Sequence, residues 1–139
     1  MSLETVLAQI AFSKALLHRD RFISAFYKRL FEDQPELRPL FPEDMSAQQV
    51  KMVDTLTLLT LHLQDREALI EGLRGLGIRH QGYGVLPSHY APMRTAMLEA
   101  LSKVLGDEWT PEMAKSCERT LDWVSEVMVS ATEVVTSAD

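Results

Sequence analysis

Apolar residues recur every three or four positions along this chain, in six runs separated by short polar or proline-rich breaks, the period of helices that bury one face. Leu3, Val6, Leu7, Ile10 and Leu17 mark the first run. A break or bend is expected at Arg19-Asp20. The stretch RFISAFYKRLFEDQ follows, with Phe22, Phe26 and Leu30 on one stripe and Tyr27 and Phe31 beside it. Pro35 and Pro39 make QPELRPLFPED a turn-like segment and not a full helix. A third helix is predicted from near Ser46 to about Leu63, on Gln48, Met52, Leu56, Leu59 and Leu63. The fourth spans about Arg66 to Arg79, where Leu69, Leu73 and Leu76 lead straight to His80 in the last turns; Gly82 and Gly84 are expected to end it. Pro87 and Ser88 start the fifth, striped by Tyr90, Met93, Met97, Leu101 and Val104 and closed by Gly106. Thr110-Pro111-Glu112 supplies a capping hydroxyl, a first-turn proline and an acid. The last helix then carries Met113, Cys117, Leu121, Val124, Met128, Ala131 and Val135, and the tail TSAD is predicted to fray. No run alternates with period two. The expected fold is all-α, one domain over residues 1–139 with six main helices plus short turns. Its irregular proline corner argues against a plain up-down bundle.

Composition changes this picture little. No stretch approaches the ~18 consecutive apolar residues of a membrane span, and the N-terminus lacks the features of a secretory signal. The single cysteine, Cys117, has no partner for an internal disulfide. A cytoplasmic protein without a membrane partner is expected. A formal charge of -6, with basic residues scattered and mostly beside acids, argues against nucleic acid, whose binding needs clustered cations.

Most site chemistries are missing. There is no Walker-type loop, GxGxxG, CxxC, HExxH or GxSxG. His18, His62, His80 and His89 lack zinc-ligand spacing, and His62 lies off its stripe. A few residues stay open to two readings. His80 ends a buried stripe as either a satisfied core histidine or a ligand. Tyr27 is a core tyrosine whose tip reaches water, or a polar group in a site. Phe41, held between Leu40 and Pro42, plugs a core end or stacks on a planar ligand. Gln48 heads an apolar face, and Lys51 near its rim is solvated or meets an anion. Met93 and Met97 read as adaptable core filler. One strong ligand in so sparse an inventory suits an organic or haem cofactor.

Four segments then fall into register: FYKRLFEDQPELRPLF, a glutamine seven residues after its last phenylalanine, LGIRHQGYGVLPSHY and LGDEWTPE. Together they resemble bacterial globins, namely single-domain haemoglobins and the globin portion of flavohaemoglobins, over nearly the whole chain. The resemblance implies a globin-like fold around haem b (iron protoporphyrin IX), with His80 as the proximal iron ligand and Phe41 packed on the porphyrin. It makes Tyr27 and Gln48 the distal pair that stabilises a bound gas, with Met52 beside them. It makes Leu76, Met93 and Met97 pocket walls, and Lys51 and Arg79 candidates for the propionates. Tyr90 matches a tyrosine that, with an acid late in the last helix, brackets the proximal histidine. An ungapped count puts Thr132 at the acid's place with Glu133 adjacent, and Glu126 is further away. The first helix lacks the tryptophan often seen there, and Cys117 replaces a larger residue.

The implied function is reversible binding of O2, and of NO and CO, at a five-coordinate iron, as in oxygen transport. A donor such as the Tyr27 hydroxyl would hold the gas by ~1.5–3 kcal/mol, roughly ten- to over a hundredfold in affinity. The alternatives are an NO dioxygenase, serving nitric oxide detoxification and needing a separate reductase, or a gas sensor. A monomer or weak homodimer is expected.

Overall fold

A computed structural model describes residues 2–137 as six α-helices: α1 (Leu3–Leu17), α2 (Arg19–Asp33), α3 (Ser46–Leu61), α4 (Arg66–Gly82), α5 (Tyr90–Leu105) and α6 (Pro111–Ser137). Short 3-10 turns occupy Pro35–Leu40, Pro87–His89 and Gly106–Glu108. Among the described residues there is no strand, and no helix is long and apolar enough to cross a membrane. Ala138, Asp139 and the side chain of Val135 lie outside the described residues, and with them the end of the tail predicted to fray.

Boundaries differ from expectation where one residue decides them. The break before α2 is confined to His18 (φ -124°, ψ 44°), so α2 starts at Arg19 and takes Asp20 into its first turn, where a carboxylate suits the helix dipole. Helix α3 stops at Leu61, yet Leu63 beyond it is fully buried. Gly82 is the last residue of α4 and does not break it; the left-handed turn falls on Gly84 (φ 96°). Ser2, Asp65 and Thr110 cap α1, α4 and α6 by accepting the amide protons of Thr5, Ala68 and Met113.

The face of α1 needs a larger correction. Its buried side is Thr5, Ala8, Ala11, Phe12 and Ala15, while Leu3, Ile10 and Leu17 are exposed. Small alanines let α1 lie close on α6, α3 and α5, and this close approach outweighs the larger leucine stripe. Elsewhere the expected stripes face inward: Phe22, Phe26 and Leu30; Leu56 and Leu59; Leu69 and Leu73; Met97 and Leu101; Met113, Cys117 and Leu121.

Helix α5 runs through the middle, against α2, α1 and α6, with Ala96, Ala100 and Leu101 fully buried. Arg29 on α2 pairs with Glu99 on α5 across that contact. Helix α4 is packed differently. It lies on α6, whereas no substantial contact joins it to α3 or α5. Arg66 stacks over Trp123 at 4.8 Å, and Gly77 meets the backbone of Met128. Cys117 is fully buried, and burial pushes its thiol up to about 12.

Phe12 sits at the centre of the alanine face with no exposed surface. Its replacement by alanine removes a whole ring that no neighbour can refill, so Phe12→Ala is expected to lower unfolding free energy by ~3–5 kcal/mol. Urea denaturation at unchanged m-value checks this, and a loss below ~1 kcal/mol would contradict it.

Candidate functional site

Three elements bring the polar and aromatic candidates together. Tyr27 lies on the inner face of α2, and Phe31 follows one helical turn later. Their rings stack at 5.7 Å with 25° between planes. Phe41 comes from the corner after the first 3-10 turn and meets both edge-on, at 5.8 Å from Tyr27 and 5.4 Å from Phe31. Arg38 pins this corner. Its guanidinium donates to the carbonyls of Phe41, Pro42 and Glu43 at 3.3, 3.0 and 3.1 Å and lies over the Phe31 ring. Phe31 and Arg38 are the residues that sequence reasoning passed over as site members. The four-residue step from Tyr27 to Phe31 was the signal for the first.

From the first turns of α3, Gln48 donates its amide to the Tyr27 hydroxyl at 3.4 Å. That length is near the limit of a hydrogen bond, so the contact is weak, and the phenol proton is not committed to it. Burial of Tyr27 raises its pKa above the ordinary 10.0, and the Gln48 bond only partly opposes this. The phenol is therefore neutral and a donor at physiological pH.

His80 lies in the last turn of α4, half-buried. Its Nδ1 is 2.9 Å from the carbonyl oxygen of Leu76. A carbonyl can only accept, so Nδ1 carries the proton and Nε2 carries the lone pair. Burial, the largest influence, lowers the His80 pKa; the Leu76 bond opposes this, and nearby Arg79 adds to the lowering. The ring is a neutral imidazole presenting Nε2 as a base.

Phe41, Met52, Leu76 and Met93 are apolar yet only partly buried, while Met97 is buried. These apolar side chains come from four elements, and α3 and α4 are not substantially packed on each other. Lys51 and Arg79 are both exposed, and the Arg79 guanidinium folds back along α4 towards Gly75. Beyond the end of α4, Tyr90 and Thr132 share a cavity of about 100 Å³ with Gln81, Val85, Leu86 and Val129. Glu133 is exposed, so the α6 residue that joins Tyr90 at this cavity is Thr132. Among the described residues no cluster of three His, Cys, Asp or Glu side chains could hold a metal ion. A single imidazole is the strong ligand at hand.

The family model for globins matches residues 24–128, from ahead of Tyr27 to beyond His80. The chain belongs to the globin family. A globin domain implies haem binding, and the residues present fit it: a neutral imidazole, half-covered apolar side chains and a neutral phenol–amide pair. Among relatives, this globin is 24% identical over 115 residues to a flavohemoprotein of Bacillus subtilis, covering 81% of this chain and 29% of the relative. It is 30% identical over 102 residues to a flavohemoprotein of Xylella fastidiosa, covering 71% and 25%. It thus spans less than a third of the length of these relatives. Two solved structures share the fold. An engineered carbene transferase from Rhodothermus marinus, named for nitric oxide dioxygenase, superposes with TM-score 0.83 at 23% identity over 99% of this chain and 98% of that one. A bacterial globin from Campylobacter jejuni gives 0.76 at 16% identity over 94% and 97%.

The direction of the His80 shift fixes a pH dependence. Unfolding restores an ordinary pKa near 6.5, so below that value the unfolded chain binds more protons and stability is lost as pH falls. Urea midpoints of the cofactor-free protein should therefore fall between about pH 7 and 5. The decline should be shallower in His80→Gln, and equal slopes would show that His80 is not held neutral.

Proposed function

We propose that this chain is a haem protein that binds O2 reversibly, and NO and CO as well, with His80 as the iron ligand. The observation that carries the reading is the Leu76 carbonyl bound to His80 Nδ1, which makes Nε2 the unprotonated nitrogen of a half-buried ring. Haem, held by His80, would supply an iron able to take a diatomic gas. The rest falls to the protein. Leu76 orients the imidazole and fixes its tautomer. Phe41, Met52, Leu76, Met93 and Met97 enclose the ring system and exclude water. Tyr27 offers its phenol proton to the gas, and Gln48 steadies that hydroxyl or donates to the gas directly. Phe31, Phe41 and Arg38 keep the tyrosine ring in place. Lys51 and Arg79, on the exposed rim, are available to the two propionates. Tyr90 buttresses the segment behind His80, and Thr132 lines the same cavity.

A second reading is nitric oxide dioxygenation, NO + O2 + e⁻ → NO3⁻. The relatives named flavohemoprotein and the neighbour named for nitric oxide dioxygenase favour it. The electron would come from a reductase. Nitrate formation by the haem-loaded protein with NADH and an added flavin reductase separates the two. Reversible oxygenation with negligible nitrate removes the dioxygenase reading.

Two substitutions test the site. His80→Ala should abolish the ferrous histidine-ligated absorption spectrum; an unaltered spectrum would sink the assignment. Tyr27→Phe should speed O2 dissociation by roughly ten- to a hundredfold, the worth of one hydrogen bond to a charge-bearing partner. Stopped-flow rates equal to wild type would show that the hydroxyl does not reach the gas.

A further inference from the structure

We infer that Gly77 is a positioning residue for His80: its contact with the backbone of α6 sets how far α4, and the imidazole it carries, stands from α6. The inference rests on the haem-site reading above. Helix α4 lies on α6, with little contact to α3 or α5, so its place is set along one seam. The seam is tightest at Gly77. A methyl group there would stand 2.7 Å from the Met128 Cα and 2.8 Å from its carbonyl carbon, and closer still to the carbonyl oxygen. Those atoms belong to a helix backbone, which cannot swing aside as a side-chain tip does.

The other glycines of α4 set Gly77 apart. Gly72 and Gly82 face open space, and Gly75 would meet only the flexible end of Arg79 at 3.3 Å. A glycine inside a helix costs ~0.5–1 kcal/mol relative to alanine, and at position 77 close packing accounts for it. Gly77 directly follows Leu76, the residue whose carbonyl holds His80 Nδ1, and precedes His80 by three. All three share one turn of rigid helix, so a displacement at 77 reaches the imidazole undiminished. A ligating side chain has to be held within ~0.5 Å of its working position. Separating two helices enough to admit a methyl group between backbones exceeds that tolerance. Gly77 itself touches neither the cofactor nor the gas and acts through His80.

The test is the iron–histidine stretching band of the haem-loaded ferrous protein, read by resonance Raman in wild type, Gly77→Ala and Gly72→Ala. Gly77→Ala should shift the band. Gly72→Ala, on the same helix with space for its methyl, should leave the band in place and raise Tm. A Gly77→Ala protein that takes up haem and shows the wild-type band overturns the assignment. If Gly77→Ala yields no folded haem protein, Trp123→Leu replaces it, since this loosens the same seam under Arg66 without a backbone clash. A shifted or broadened band then supports the assignment, and an unchanged one overturns it. Absence of the band in wild type would instead overturn the haem-site reading, and this assignment with it.

Discussion

A helix that must present a side chain to an opening cannot be packed on every side, and α4 meets this constraint by leaning on α6 alone. The seam is tightest at Gly77, while Leu76 and His80 stay half-covered. The imidazole is then oriented from within, by the carbonyl one turn back. Orientation therefore comes from α4 itself and placement from α6. Neither depends on the polar residues of α2 and α3.

The opposite wall is built on another principle. Its proline corner has no helical ladder to hold it, and Arg38 substitutes for one by serving three successive carbonyls. Those bonds fix Phe41, and the three-ring cluster of Phe41, Phe31 and Tyr27 fixes the phenol in turn. Aromatic packing limits the ring's rotation, while the long contact with Gln48 leaves the hydroxyl free to choose its acceptor. Rigid placement with an uncommitted proton is what a gas-facing donor needs.

How much of this was legible in the sequence differs by residue. The period of leucines put His80 on an inner face, and Gly106 and the Thr110 cap marked ends that the structure keeps. The face of α1 was misread because periodicity weighs large apolar residues above alanine, whereas close helix packing favours the smaller side chain. Register gave Tyr27, Phe41 and Gln48 their candidate roles, since their spacing alone had equally good core readings. The Leu76 bond was invisible, because every residue has a carbonyl and only geometry shows which one is used. Gly77 was passed over for a similar reason: nothing in the string distinguishes it from Gly72 or Gly75, and only the neighbouring backbone does. Thr132 and Glu133 could not be separated by counting, as adjacent helix positions differ by about 100° in facing.

The buried thiol of Cys117 bears on how the gases themselves would be accounted for. Nitric oxide and its oxidation products react readily with thiolates, and a protein with an accessible cysteine consumes them by side routes. This chain has one cysteine, closed off by α6 and its neighbours and held as the unreactive thiol. No thiol is left on the surface to compete. In the function proposed, any uptake of nitrogen oxides would carry no contribution from an exposed thiol of this chain.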